Sequence, residues 1–197
     1  CHVCPCPRIH LRGGVKPAVE ASVVICTYNR AAKIGQVLDD HAAQTGLGAW
    51  RCEVLVVDNN SNDGTRAEVE ARQGKGPLPV RYVHEPVQGK SSALNRGIAE
   101  ARGDIIAFTD DDVRIPPTWL ASLLAPFDDP ACMGVAGAVL PQWSTPRPAW
   151  ISDTEPYRMM GAIVQYWKGS QAGPADASPI GANCAWRREV FRRHGGY

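Results

Sequence analysis

An α/β fold, with a mostly parallel sheet and helices on both faces, is predicted for this chain by three observations. Short apolar runs alternate with amphipathic stretches from residue 21 onward. Several runs are continuously apolar, as strands buried on both faces require. Clusters rich in Asp, Asn and Gly follow these runs, where strand-to-helix turns belong. The chain has 197 residues, a size that suits one domain. Hydrophobic residues make up 44% and charged residues 21%, which is ordinary for a chain with a real core. Lys and Arg number 21 against 20 Asp and Glu, a net charge of +1. That balance excludes a strongly basic nucleic-acid binder and an acidic disordered tail. No apolar run approaches the roughly 18–20 residues of a membrane-spanning helix.

The elements follow in order. Ser22–Cys26 is the first strand, and Asn29 is placed to cap a helix carrying Ile34, Val37, Leu38 and Ala42 on one face. Cys52–Val57 is the second strand, ending in the turn cluster 58–64. Thr65 with Glu68 reads as a capping box opening the next helix. Val80–Val83 is a shorter third strand. Ser91 or Ser92 caps a helix with Leu94, Ile98 and Ala101, stopped by Gly103 as a left-handed residue. Ile105–Phe108 is the fourth strand. Pro116 and Pro117 suit the first turn of a helix that buries Trp119, Leu120, Leu123, Leu124 and Phe127. Met133–Leu140 is a fifth strand, 141–179 are mostly irregular, Ile180–Trp186 is a last strand, and Arg187–His194 a short helix.

Residues 1–20 read as a disordered leader before a domain spanning 21–197. Cys1, Cys4 and Cys6, with His2 and His10 nearby, lack the second ligand pair that a zinc knuckle needs. Cys26, Cys52, Cys132 and Cys184 lie in apolar segments and read as small hydrophobes, consistent with a reducing compartment. Beginning at Cys1 and stopping just after Gly195-Gly196, the chain reads as cut at both ends.

Three polar clusters end strands of one sheet, the edge where open α/β sheets bind ligands: Thr27–Arg30, Asp58–Gly64 and Asp110–Asp112. Three adjacent carboxylates repel one another, and a divalent cation relieves that repulsion. Hard oxygen ligands suit Mg²⁺ or Mn²⁺, which keep waters and bridge to phosphates, so a diphosphate is the natural ligand. Asp58 can accept a hydrogen bond from the imide N–H of uracil or thymine, and Thr27 and Tyr28 offer backbone groups and an aromatic face. Arg30, Lys90 and Arg96 are candidate phosphate partners. Neither G-x-x-x-x-G-K-[ST] nor G-x-G-x-x-G follows the first strand, which disfavours a P-loop enzyme and a nicotinamide dehydrogenase.

The stretches Val24–Arg30 (VICTYNR), Val56–Thr65 (VVDNNSNDGT), Gly89–Ile98 (GKSSALNRGI), Phe108–Asp112 (FTDDD) and Gly181–Arg188 (GANCAWRR) together resemble the family 2 glycosyltransferases of GT-A fold, over about residues 22–197. The resemblance implies a Rossmann-like sheet and an inverting transfer of a sugar from a nucleotide-diphosphate donor, a UDP-sugar foremost, with Mg²⁺ or Mn²⁺. It implies that Thr27, Tyr28, Asn29 and Asp58 hold the base, and Arg30 and Lys90 join that donor site as the candidate phosphate partners named above. Asp110 and Asp111 would lie near the ribose and sugar, with Asp112, and Asp110 beside it, on the metal. Gly181, Ala182 and Asn183 would line the acceptor side, the acceptor being a glycan, a lipid or another hydroxyl compound. A general base is expected beyond the G-G-[FY] element, here Gly195-Gly196-Tyr197, where this sequence stops.

Inversion by single displacement needs a base to take the acceptor proton and a cation to steady the departing diphosphate. Two rivals stay open at this point. A sugar nucleotidyltransferase would need a Gly- and Arg-rich loop where Thr27–Arg30 stands, and a non-catalytic sugar-nucleotide-binding module would need only the binding residues. A cytoplasmic location is expected, with the inner membrane face as a candidate contact, and the charge balance leaves no nucleic-acid partner. The Trp-rich residues 143–168 are a candidate membrane-surface or acceptor-lipid contact, but the expectation is that Trp143, Trp150 and Trp167 pack against the sheet.

Overall fold

The computed structural model describes residues 19–143, 145–152, 154 and 181–197. The Cys1–Cys6 leader motif and residues 155–179 of the irregular stretch lie outside these. The described elements are β1 (Ala21–Thr27), α1 (Ala31–Ala42), β2 (Cys52–Asp58), α2 (Thr65–Glu70), β3 (Val80–His84), α3 (Lys90–Glu100), β4 (Ile105–Thr109), α4 (Trp119–Leu124), β5 (Gly134–Ala136), β6 (Cys184–Arg187) and α5 (Arg188–His194). A single 3₁₀ turn, Ala125–Asp128, extends α4 and carries the buried Phe127.

The strands form one sheet in the order β3-β2-β1-β4-β6-β5. β1 pairs in parallel with β2 and β4, and β2 in parallel with β3; β6 runs antiparallel to both β4 and β5. The chain winds outward from β1 to β3, then crosses back to place β4 on the other side of β1. That reversal opens a crevice beyond the carboxyl ends of β1 and β4.

Strict alternation along the central strands builds two cores. Val23, Ile25, Val54, Val56, Ile105 and Ala107 pack with α1 and α4 on one face. Val24, Leu55, Val57, Ile106 and Phe108 pack on the other with Ala93 and Leu94 of α3 and Phe191 of α5. At Gly97, a Cβ would stand 2.4 Å from Val24 Cγ1, so only glycine lets α3 lie this close to β1. Of the cysteines, Cys52 and Cys184 are fully buried, and all four described ones are free thiols.

Several helix ends differ from the sequence expectation, because partners distant in sequence replaced local caps. Residue 30, not Asn29, stands at the N-cap of α1, and Asp63 Oδ2 accepts from the Ala31 amide at 3.1 Å. Gly64 precedes α2, so the Thr65–Glu68 box does not form; Thr65 instead donates to Asp63 Oδ1. Gly89 precedes α3, and neither Ser91 nor Ser92 caps it. Gly103 is not left-handed. Its Cβ would lie 2.6 Å from Ala21 backbone, and its amide donates to Ser22 Oγ at 2.9 Å. The orphan carbonyls at the end of α3 are met by Arg188, which donates to Ile98, Ala101 and Gly103. Pro116 and Pro117 precede α4, whose Leu120 amide donates to Gln44 Oε1 at 2.9 Å. The fifth strand keeps three residues of the eight expected.

Between Leu38 and Gln44 the core takes His41 rather than Ala42. Nδ1–H of His41 donates to Val37 O at 2.7 Å, while Nε2 is buried without a hydrogen-bond partner among the described residues. Burial therefore holds the imidazole neutral and lowers its pKa from the ordinary value. A group depressed in the folded state leaves stability intact above its unfolded pKa of about 6.5 and erodes it as pH falls toward the folded value. His41→Leu should flatten the decline in urea midpoint between about pH 7.5 and about pH 5.5. An unchanged decline in the variant would contradict a neutral, buried His41.

Candidate functional site

The crevice beyond β1 and β4 is a cavity of about 430 Å³. Cys26, Thr27, Tyr28 and Arg30 line it from the end of β1, and Asp110, Asp111 and Asp112 from the end of β4. Asn59 comes from just after β2, Gln88 and Gly89 from just before α3, and Lys90 and Ala93 from its first turn. The first turn of α3 supplies unpaired backbone amides and the positive end of its dipole, a surface suited to phosphate.

The triple aspartate dominates the electrostatics. Lys90 Nζ lies 3.1 Å from Asp110 Oδ1. The Arg30 guanidinium spans the other two, Nε at 3.5 Å from Asp111 and Nη2 at 3.9 Å from Asp112. Three negative charges thus face two positive ones, leaving a net local charge of −1. Burial pushes the Asp111 carboxyl up; Thr27 and Arg30 oppose the rise, and Asp112 and Asp110 add to it. The Thr27 hydroxyl is buried without a hydrogen bond of standard geometry, yet it stands near enough to Asp111 to favour the ionised form. Burial also pushes the Cys26 thiol up to about 12, so it stays protonated and is no nucleophile.

Two loops are sewn together beside the cavity. Asn29, at φ 50°, donates its amide to Ser61 Oγ at 2.8 Å and accepts from the Asn62 amide at 3.0 Å. The Arg30 amide donates to Thr65 Oγ1 at 2.9 Å. These bonds fix the backbone from which Tyr28 and Arg30 project.

Most sequence-predicted site residues meet here: Thr27, Tyr28, Arg30, Lys90, Asp110, Asp111 and Asp112 share the cavity. Asn29 belongs to the loop stitching rather than the lining. Asp58 stands behind the wall, with one oxygen accepting from the Tyr82 hydroxyl at 2.8 Å and the other from the Ser61 amide at 2.9 Å. Arg96 lies away from the cavity and pairs with Glu100 at 3.0 Å. The acceptor trio divides. Gly181 borders a smaller space beside Cys26, Lys90, Asp110 and Tyr197, while Ala182 and Asn183 line a second cavity of about 510 Å³ that shares Asp112 with the first.

The sequence reading missed Asn59. Its Oδ1 accepts from the Gly89 amide at 2.8 Å, and its Nδ2 donates to Val87 O at 2.7 Å and Glu85 O at 3.3 Å. Period-two alternation could have found it. Val57 belongs to the α3 face, so Asp58 falls opposite and Asn59 returns to α3.

Among the described residues, no three His, Cys, Asp or Glu side chains converge on a point that could hold a metal ion. The donor set still fits a hard cation that takes one or two carboxylates and completes its shell from water and phosphate. Asp112 and Asp110, with side chains 42% and 35% exposed, are the accessible members, and Asp111 is mostly buried.

The family model for glycosyl transferase family 2 matches residues 22–195. The chain belongs to that family. As a family 2 chain it is 32% identical over 127 residues to the succinoglycan biosynthesis protein ExoM of Rhizobium meliloti (strain 1021), covering 64% of this chain and 41% of that protein. It is 26% identical over 182 residues to a glucosyl-dolichyl phosphate glucuronosyltransferase of Haloferax volcanii, covering 91% of this chain and 56% of that one. Among solved structures, the mannosyltransferase PcManGT of Pyrobaculum calidifontis in complex with GDP-Man and Mn²⁺ superposes with a TM-score of 0.64 at 25% identity. The match covers 93% of this chain and 48% of that one. The family 2 chain thus spans about half the length of these relatives and has the GT-A fold.

The Asn59 clamp carries a prediction. Asn59→Ala should release the Gly89 amide, speeding its hydrogen exchange by about tenfold, the loss of roughly one hydrogen bond. Unaltered exchange at Gly89 would show that the start of α3 is held by something else.

Proposed function

We propose that this chain forms the donor-binding part of an inverting glycosyltransferase that uses a nucleotide-diphosphate sugar, a UDP-sugar foremost, with Mg²⁺ or Mn²⁺. One observation carries the reading: a net-negative carboxylate cluster and the amide-rich start of a helix face one cavity from opposite sides. A diphosphate alone would be repelled by the aspartates and attracted by α3 and Lys90. With a divalent cation between, both sides become favourable.

In this reading Tyr28, about half exposed at the cavity rim, offers its ring to the base. Asp58 acts at one remove, holding Tyr82 and the Ser61 turn, and Asn59 takes the position nearer the nucleotide. Lys90 leaves Asp110 for a phosphate oxygen, and Arg30 does the same from Asp111 and Asp112. Asp112, with Asp110 beside it, holds the metal, which when bound stabilises the departing diphosphate as a Lewis acid. The acceptor enters past Ala182 and Asn183, since their cavity meets the donor cavity at Asp112. Its hydroxyl attacks the anomeric carbon from the face opposite the diphosphate, and the proton passes to a carboxylate expected beyond Tyr197. The names of the relatives, a succinoglycan biosynthesis protein and a glucosyl-dolichyl phosphate glucuronosyltransferase, support a role in glycan assembly. No helix among the described residues is long and apolar enough to cross a membrane.

Calorimetry with UDP, GDP and dTDP checks this directly. Binding should be strongest for UDP and should need Mn²⁺ or Mg²⁺, and Asp112→Asn should weaken it at least about tenfold, the size of one lost charge-assisted contact. Equal affinity in the presence of chelator would remove the metal from the reading.

A further inference from the structure

The second cavity differs in chemistry from the first. Ile115, Pro116, Leu140 and Trp143 give it apolar walls, and Trp143 is 37% exposed. Its polar groups are mainly amides. Asn183 donates to Ala138 O and accepts from Trp119 Nε1, which leaves one N–H and one lone pair. The Gln142 side chain, also in the lining, has no hydrogen-bond partner among the described residues. The one cation in the lining, Arg114, is held by both oxygens of Asp40 at 2.7 and 3.2 Å. The remaining charge is the Asp112 carboxylate.

A phosphate acceptor, such as the headgroup of a polyprenyl phosphate, would meet no uncommitted cationic side chain among the described lining residues. A neutral sugar meets what it needs. The C–H face of a pyranose is apolar and packs on an indole, while its hydroxyls are matched by amides that both donate and accept. Such a site, pairing apolar walls with convergent polar groups, is typical of small-ligand cavities.

We propose that the second cavity binds an uncharged glycan, with a sugar ring stacked on Trp143 and its hydroxyls bonded to Gln142 and Asn183, and that this glycan rather than a lipid phosphate is the acceptor. The acceptor role rests on the transferase reading; the glycan binding does not.

The test titrates the protein with maltose, cellobiose and N,N′-diacetylchitobiose by calorimetry, with undecaprenyl phosphate in detergent micelles as the competing class. At least one disaccharide should bind; Trp143→Ala should weaken it at least about tenfold, and Trp143→Phe should retain part of the affinity because a phenyl ring still stacks. Matching melting temperatures establish that both variants are folded. Three results would each overturn the proposal: no disaccharide binds, Trp143→Ala binds like the parent, or undecaprenyl phosphate displaces the bound disaccharide. UDP with Mn²⁺ is titrated into the same samples. Disaccharide binding without UDP binding would overturn the transferase reading alone, and UDP binding without disaccharide binding this proposal alone.

Discussion

Repulsion among Asp110, Asp111 and Asp112 governs the arrangement around them. A β4 strand buried on both faces delivers three carboxylates to one strand end, where water alone cannot screen them all. Two cations answer, each from a different layer of the fold: Lys90 opens α3 on one face, and Arg30 leads into α1 on the other. One negative charge is left over, and the molecule carries it in a cavity walled by backbone amides. A site so balanced is poised for a cation that arrives with an anion. Neither partner alone finds a complete set of counter-charges.

Holding that balance requires rigid loops, and the structure obtains them through long-range side-chain bonds. The β2–α2 loop caps α1 through Asp63 and steadies Tyr28 and Arg30 through Ser61 and Thr65. Asn59 reaches the other way and pins Gly89, so that α3 begins at the cavity. Arg188 closes the far end of α3 by taking three of its orphan or following carbonyls. Burial lowers the pKa of that guanidinium from its ordinary value. Each of these groups comes from a segment remote in sequence, so the cavity beyond β1 and β4 depends on the whole sheet being in register.

The four parallel strands were legible in the sequence because continuous apolar runs leave few alternatives to a buried parallel sheet, whereas the short antiparallel β5 and β6 were overextended. The motif residues were legible for a related reason: charged groups at the end of an apolar run have no packing role to explain them. Helix caps were not legible. Thr65 and Glu68 have the right spacing for a capping box, but Thr65 is fully buried and serves Arg30 and Asp63 instead. Gly103 looked like a left-handed stop, whereas its lack of a side chain answers the approach of Ala21. Asp58 and Asn59 show the same limit on a smaller scale. Both are polar residues at one strand end, and only the alternation of faces decides which looks into the cavity.

The metal's position tests this account most directly. A crystal of the chain grown with UDP and Mn²⁺, measured at the manganese absorption edge, would show the ion as a single anomalous peak. The account predicts that peak at Asp112, with the base beside Tyr28 and the Arg30 guanidinium turned from Asp112 toward the diphosphate. Bound UDP with no manganese at the aspartates, or manganese away from Asp112, would contradict it.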